Sequence, residues 1–245
     1  MGYAHEYAAA VMQRARHPME PADFVPDWSD RPRKEKYYPG ADTLPLPQGD
    51  YPASATVARA LAASGVAAAG DGAFSLPLLS GMLLDSYGLT GRRLAVQANS
   101  DLGGLPLHTQ ANWSRGTASG GGLYPVETTW VCGPGGPLVP GVYRYSPAHH
   151  AVQRLLAGDV SGEVRAALGG AAGTADTDQF LVLGVKFWQN SFKYNSFCYH
   201  AVSMDVGALL QTWRMWAGGR GPGGGWARRV VRSRGGGLVW GARGH

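Results

Sequence analysis

Residues 180–188 read FLVLGVKFW, a nearly continuous apolar run that predicts a β-strand in the interior of a sheet. Residues 187–200 mix aromatic and polar side chains and predict a loop that leads from this strand to a helix. That helix is predicted over Tyr199–Trp216, where Val202 and Val206 recur at the spacing of one buried face. Because strands and helices mix without a regular βαβ alternation, the sequence predicts an α+β fold.

Outward from this stretch, the patterns predict further elements on its N-terminal side. We expect helices at residues 3–16, 53–69, 71–91 and 158–168, a strand at 126–133 (VETTWVCG), a hairpin at 140–152, and loops at 21–52 and 92–112. Composition divides the chain into three parts. These are an N-terminal helix and extended loop (1–52), a folded domain (53–216) and a tail rich in Gly and Arg (217–245).

The tail is unlike the rest of the chain. It has eleven glycines in 29 residues, six arginines and no acidic residue, and it lacks an apolar period. We expect it to be disordered, because it offers too little apolar surface to offset the entropy of ordering. A shifted reading frame in G+C-rich DNA gives the same composition, so a frameshifted tail is the preferred origin and a natural extension the alternative.

Charge and cysteine content narrow the classes of protein. The net charge is +5, but without the six tail arginines 16 basic residues face 17 acidic ones, a net charge of −1. A body so close to neutral does not predict a nucleic-acid partner. The two cysteines, Cys132 and Cys198, predict neither a disulfide scaffold nor a metal site, and no apolar run is long enough to span a membrane. We expect a cytoplasmic protein.

The first segment with chemical potential is RGTASGGGLYP, residues 115–125. Three consecutive glycines let a backbone approach a flat or anionic ligand, Ser119 adds a hydroxyl, and Arg115 offers a forked donor for phosphate. The pattern is neither a Walker loop nor a Rossmann fingerprint. Taken alone, such a run is more often a surface turn.

The second segment is FWQNSFKYNSFCYH, residues 187–200. Lys193 and Tyr194 are adjacent, and either would serve as a general acid or base if its surroundings moved its pKa towards neutrality. The alternative is a solvated lysine beside aromatic residues of the core, which is the commoner arrangement.

Together these segments resemble a known family. Four segments are similar, in chain order, to segments of the SagB-type dehydrogenases of the nitroreductase superfamily: KYYPGADTLPLP (36–47), RGTASGGGLYPVETTWV (115–131), VPGVYRYSPAHHAVQRLLAGD (139–159) and FWQNSFKYNSFCYHAVSMDVGALLQTW (187–213). Four ordered matches are more specific than any one of them. The resemblance runs from about residue 5 to residue 216.

The resemblance implies a nitroreductase-like α+β fold that binds FMN, with a mixed or antiparallel central sheet flanked by helices. It also implies a homodimer that works beside a cyclodehydratase and oxidises azoline rings of a precursor peptide to thiazoles or oxazoles. By the same likeness Arg115, Ser119, Gly120 and Gly121 would contact FMN, and Lys193 and Tyr194 would be the catalytic pair. A base would take the ring Cα proton while hydride passes to the flavin.

The sequence differs from the family's pattern in two places, and two alternative functions stay open. Gln189 stands where many members of the family have arginine, and nothing after Trp216 resembles the family's C-terminal segment, which normally completes the flavin phosphate site. One alternative is a general nitroreductase-like flavoprotein that uses NAD(P)H. The other is a non-catalytic subunit that has lost flavin binding through its altered C-terminus.

Overall fold

The computed structural model describes residues 2–62, 74–97, 107–169, 174–175, 177–220, 230–232 and 238–242. The helices are α1 (Tyr3–Gln13), α2 (Val57–Ala62), α3 (Leu76–Tyr87), α4 (Ser161–Ala167), α5 (Trp188–Tyr194) and α6 (Cys198–Gly219). The strands are β1 (Thr43–Pro45), β2 (Gly91–Gln97), β3 (Leu107–Ser114), β4 (Val126–Cys132), β5 (Gly141–Ser146), β6 (Ala151–Ala157), β7 (Gln179–Val185), β8 (Val230–Arg232) and β9 (Leu238–Ala242).

Seven of the described strands form one antiparallel sheet in the order β1-β6-β5-β4-β7-β9-β8. β7 lies between β4 and β9, which confirms the prediction of an interior strand. Leu181 is opposite Trp130, and Phe180 is opposite Val131. Because successive side chains alternate between faces, the two pairs enter separate apolar cores on opposite sides of the sheet.

The larger core lies between the sheet and the two helices α3 and α6. Leu79 and Leu83 of α3 and Leu209 and Trp213 of α6 are fully buried there, together with Trp130 of β4. Burying each such side chain stabilises the fold by roughly 1.5–3 kcal/mol. The predictions of a buried helix within 71–91 and of a core-facing helix from about residue 199 are therefore confirmed, as are the strand at 126–133 and the hairpin at 140–152.

Three sequence-based expectations differ from the structure. Residues 92–112, expected to be a loop, contain most of a separate antiparallel pair formed by β2 and β3. Residues 187–200, also expected to be a loop, form the short helix α5 and a 3-10 turn before α6. The loop expected at 21–52 contributes the edge strand β1. In each case the element is short or polar, so it lacks the long apolar period from which the other elements were predicted.

Two described segments of the tail are short strands. β9 pairs along β7, and β8 pairs along β9, so both extend the main sheet. Backbone pairing explains this, since the open side of β7 presents N–H and C=O groups that any strand of suitable length satisfies. The origin of the tail by frameshift, and the three-part division of the chain, stay predictions.

Residues 63–73 are outside the described residues. They include parts of the two helices predicted from the sequence at 53–69 and 71–91. Where the chain is described, no helix combines the length and apolarity that a membrane span requires.

Candidate active site

Residues 119–123, the glycine turn, connect β3 to β4. Gly120–Gly122 forms a single 3-10 turn in which Gly121 has φ of 61° and Gly122 has φ of 65°. This left-handed region of backbone conformation is open to glycine and costly for residues with a Cβ. The backbone of the turn therefore requires glycine at positions 121 and 122, within the run that the sequence analysis singled out.

Asp205, on the buried face of α6, holds the glycine turn in place. Its Oδ1 accepts the backbone N–H of Gly120 at 2.8 Å, and its Oδ2 accepts the hydroxyl of Ser119 at 2.5 Å. Ser119 Oγ also accepts the backbone N–H of Tyr124 at 2.9 Å. Burial raises the pKa of Asp205, and the hydrogen bonds from Ser119 and Gly120 oppose that rise.

The hydrogen bonds of Ser119 bear on its expected contact with FMN. Its single proton goes to Asp205, and one of its two lone pairs is taken by Tyr124. One lone pair remains, so Ser119 would meet a ligand only as an acceptor. Its role within the protein is to shape the turn.

Lys193 and Tyr194, at the end of α5, lie directly against the glycine turn. A Cβ placed on Gly121 would be 2.3 Å from Tyr194 Oη and 2.8 Å from Lys193 Nζ. The backbone of Gly121 and these two polar groups thus share one surface, which only glycine permits. The structure brings together the two segments that the sequence analysis singled out, although they are about seventy residues apart in the chain.

The N-terminal part of the chain also reaches this surface. Lys193 Nζ lies 5.9 Å from the ring centroid of Trp28, and the same ring packs edge-on against Phe192 at 5.6 Å. Trp188 Nε1 donates a hydrogen bond to Asp30 Oδ2 at 3.1 Å. Residues near 28–30 therefore flank the catalytic candidates on α5.

Arg115 is placed differently from the other predicted ligands of FMN. Its guanidinium carbon lies 4.5 Å from the ring centroids of both Tyr87 and Tyr124, and Nη2 lies 3.9 Å from a carboxylate oxygen of Glu35. Its side chain is 8% exposed. These contacts turn the guanidinium towards Glu35, and its described partners include neither Lys193 nor Tyr194.

Buried amides under the glycine turn provide a test of whether the site suits a flavin. Gln189 Nε2 donates to the carbonyl of Leu123 at 3.1 Å, but Gln189 Oε1 and both polar atoms of Asn190 have no hydrogen-bond partner in the part of the chain that the structure describes. Unpaired buried amides are costly and usually mark a missing partner. Unpaired donors and acceptors of this kind fit a ligand with polar edges, such as a flavin.

The sequence analysis did not single out Asp205 or Asn190. Asp205 carries a signal that would have identified it, because an acidic residue at the spacing of Val202, Val206 and Leu209 is on the apolar face and needs a buried partner. Asn190 carries no such signal, since α5 is too short to show which residues are buried.

The chain is similar to known proteins at the level of the fold. No family model matches the chain, and no curated protein does. A solved structure from Anabaena variabilis, classed provisionally as a nitroreductase, superimposes with a TM-score of 0.62 and 23% identity, covering 86% of this chain and 38% of that one. A second, from Ralstonia eutropha and classed the same way, gives a TM-score of 0.54 and 15% identity, covering 91% and 95%.

These two likenesses show the nitroreductase-like fold, as predicted from the sequence. The chain spans little more than a third of the length of the Anabaena protein. The microcin synthetase complex of Escherichia coli, with a truncated precursor bound, matches at a TM-score of 0.45 and 19% identity over 87% of this chain and 79% of that one. That value is too low to carry an argument about this chain.

Proposed function

We propose that this chain is an FMN-dependent dehydrogenase that oxidises azoline rings to azoles in a ribosomally synthesised peptide. The observation that carries the proposal is the contact of Gly121 with the polar ends of Lys193 and Tyr194. A ring bound along the glycine turn would be within reach of two groups able to take a proton. The nitroreductase-like fold supports the same proposal.

The proposed chemistry divides between the cofactor and the chain. FMN, when bound, supplies the acceptor for the hydride that leaves the azoline, and molecular oxygen is the proposed final acceptor of its electrons. The backbone of Gly120 and Gly121 would support the ring, and the amides of Gln189 and Asn190 would meet its polar edge. The pair Lys193 and Tyr194 would hold the substrate ring and take the proton from its Cα.

Either member of the pair suits the role of base. Lys193 Nζ lies 5.0 Å from the ring centroid of Tyr194, so the two groups are close enough for one to act and the other to orient the substrate. Both assignments proposed from the sequence stay open: Lys193 as the base with Tyr194 as the proton relay, or the reverse.

The proposed partners follow from the same reaction. The substrate would be a precursor peptide, and a cyclodehydratase that installs azolines would act before this chain. We also propose a homodimer with FMN at the interface, as the family resemblance implies. In this proposal Arg115 would contact only an anionic group of a ligand, because its guanidinium is turned towards the carboxylate of Glu35.

A second candidate is a nitroreductase-like enzyme that takes electrons from NAD(P)H. Both solved structures that show the fold are classed as nitroreductases, which favours this alternative. The two candidates differ in their electron donor. An azoline dehydrogenase takes electrons from the peptide, whereas the alternative requires a nicotinamide.

Anaerobic reduction of the FMN-loaded chain tests the proposal. The purified full chain is mixed with FMN and then with a synthetic thiazoline peptide, and the visible flavin absorption is followed. We expect bleaching by the peptide alone and release of the thiazole, detected by mass spectrometry. Bleaching by NAD(P)H but not by the peptide would favour the second candidate. Failure to take up FMN would contradict both and leave the non-catalytic subunit.

A further inference from the structure

An open cleft lies between residues 32–38 and the start of α5. It has a volume of about 540 Å³, and the residues that matter here are Arg33, Glu35, Lys36, Tyr37, Lys186 and Trp188. We propose that this cleft docks an extended peptide segment with acidic side chains, and that Glu35 occupies the place of one of their carboxylates. The inference rests on the proposed function, since that peptide would be the substrate.

Exposed aromatic rings line the cleft. Tyr37 is 76% exposed, Trp188 55% and Phe187 47%. Large aromatic side chains grouped at the surface are typical of sites that bind another chain, because they offer contact area at little cost in side-chain entropy. The grouping supplies an apolar wall for a peptide.

The charges of the cleft are predominantly positive. Arg33 and Lys36 line the cleft together with one carboxylate, that of Glu35, while the third lining cation, Lys186, is paired with Glu127. Arg33 and Lys36 are exposed, and neither has an ion-pair partner among the residues that the structure describes. A partner with negative side chains is therefore favoured over a neutral or basic one.

Glu35 separates the cleft from two nearly buried guanidinium groups. Its Oε1 lies 3.9 Å from Arg115 Nη2 and its Oε2 lies 4.0 Å from Arg144 Nη2, which is beyond hydrogen-bond length in both cases. The arginine side chains are 8% and 3% exposed, against 29% for Glu35. The carboxylate thus stands between two buried cations that it does not bind closely.

Beyond Glu35 lies a cavity of about 10 Å³, room for one water molecule. Thr128, which lines it, is buried, and its hydroxyl has no hydrogen-bond partner among the described residues. The other carboxylate there, Glu127, is already paired with Arg144 Nε at 2.7 Å and with Lys186 Nζ at 3.3 Å. If Glu35 moved outwards, an incoming carboxylate would find two guanidinium groups and a free hydroxyl.

The cleft is also next to the catalytic candidates. Trp188 and Lys193 belong to the same short helix, five residues apart, which corresponds to a rise of about 7.5 Å along the axis. Both side chains also contact residues 28–30, since Trp188 donates to Asp30 and Lys193 Nζ lies 5.9 Å from the ring centroid of Trp28, so a peptide seated along Trp188 would lie close to Lys193.

Peptide binding tests the proposal without FMN or turnover. The probe is a short fluorescein-labelled peptide of glutamate and glycine around one phenylalanine, with a glutamine analogue as control, titrated with the full chain by fluorescence anisotropy. We expect the glutamate peptide to bind more tightly, with an affinity that falls as salt rises. Arg33→Gln with Lys36→Gln should weaken it about two- to fivefold.

Glu35→Gln provides the decisive comparison. Removing the internal carboxylate should tighten binding of the glutamate peptide about two- to fivefold and leave the glutamine peptide unchanged, whereas Glu163→Gln, on an exposed face of α4, should change neither. No effect of Glu35→Gln, or weaker binding, overturns the proposal. The proposal is also overturned if Glu35→Gln changes the oligomeric mass of the protein and leaves its affinity for the peptide unchanged. That result would assign the cleft to a second copy of this chain. A chain that binds the peptide but never FMN contradicts only the proposed function.

Discussion

Asp205 accepts the backbone N–H of Gly120, and through this contact helix α6 fixes the position of the glycine turn. The second carboxylate oxygen accepts the hydroxyl of Ser119, so both oxygens are engaged in a site where the residue is only 5% exposed. The carboxylate of Asp205 thus supplies one acceptor oxygen to each of two donors, the hydroxyl of Ser119 and the backbone N–H of Gly120. The shape of the turn thus depends on a residue 85 positions away in the chain.

We predict that Asp205→Asn destabilises the protein by about 1–3 kcal/mol. The substitution preserves size but replaces one acceptor with an NH₂ group that faces a donor. Urea unfolding of the full chain measures the change in the free energy of unfolding. Asp23→Asn, at an exposed position, is the matched control and should stay within about 0.5 kcal/mol of wild type. Equal effects of the two substitutions would contradict the role assigned to Asp205.

Gly121→Ala and Gly122→Ala form a matched pair. Both residues have positive φ, so each substitution should cost about 1–2 kcal/mol through backbone strain. Only at Gly121 does the new Cβ meet Tyr194 Oη and Lys193 Nζ, while at Gly122 nothing lies within 4 Å. Gly121→Ala should therefore reduce azoline oxidation much more than Gly122→Ala does. Equal loss of turnover in the pair would show that the contact with Gly121 is irrelevant to activity.

Substitution of the catalytic candidates should separate chemistry from cofactor binding. We expect Lys193→Gln or Tyr194→Phe, whichever removes the base, to lower kcat about 10²–10⁴-fold. FMN affinity should change little in both variants, because the ring is supported by the backbone of the turn. Steady-state kinetics with a thiazoline peptide and a parallel FMN titration provide the two readouts. If both variants retain full kcat, the base lies elsewhere.

His150 predicts a specific dependence of stability on pH. Ser80 donates its hydroxyl to the carbonyl of Pro47, so it accepts a hydrogen bond from His150 Nε2 at 2.9 Å, and His150 Nδ1 then accepts the hydroxyl of Tyr145 at 3.0 Å. A neutral imidazole completes this chain of hydrogen bonds, with Nε2 as donor and Nδ1 as acceptor. Burial lowers the pKa of His150, and the charge of Asp85 offsets part of that shift.

The direction of the pH dependence of stability follows from the lowered pKa of His150. The unfolded chain, with an imidazole pKa of about 6.5, binds the proton more readily than the folded one. The stabilisation is therefore complete above about pH 6.5 and is lost as pH falls from there through the folded pKa of His150. His150→Asn, which tolerates the positive φ at this position, should remove that part of the dependence. Parallel stability curves for the two proteins between about pH 5 and 7.5, measured by urea unfolding, would contradict it.

Much of the fold was predictable from sequence because its main elements carry strong local signals. The apolar run of β7 and the buried face of α6 each predicted an element that the structure confirms. The pair β2 and β3 was missed because its polar residues hide the alternation of a strand, and β8 and β9 were missed because Gly-rich sequence gives no local preference. Their positions depend on backbone pairing with distant partners.

The candidate site was predictable as a set of residues but not as a set of contacts. The glycine run and the pair Lys193 and Tyr194 were identified from sequence, and the structure places them together. Two carboxylates near the site were not identified, since Asp205 acts on a turn far back in the chain and Glu35 lies beside Arg115 only after folding. Pairings of this kind depend on tertiary structure, which a single sequence does not encode locally.

Titration of the purified full chain with FMN, followed by quenching of flavin fluorescence, measures whether a flavin binds at the glycine turn. We expect saturable binding to the wild-type chain, weakened at least about tenfold by Gly121→Ala and much less by Gly122→Ala. Absence of binding, or binding that Gly121→Ala leaves unchanged, would contradict a flavin ring lying on the glycine turn beside Lys193 and Tyr194.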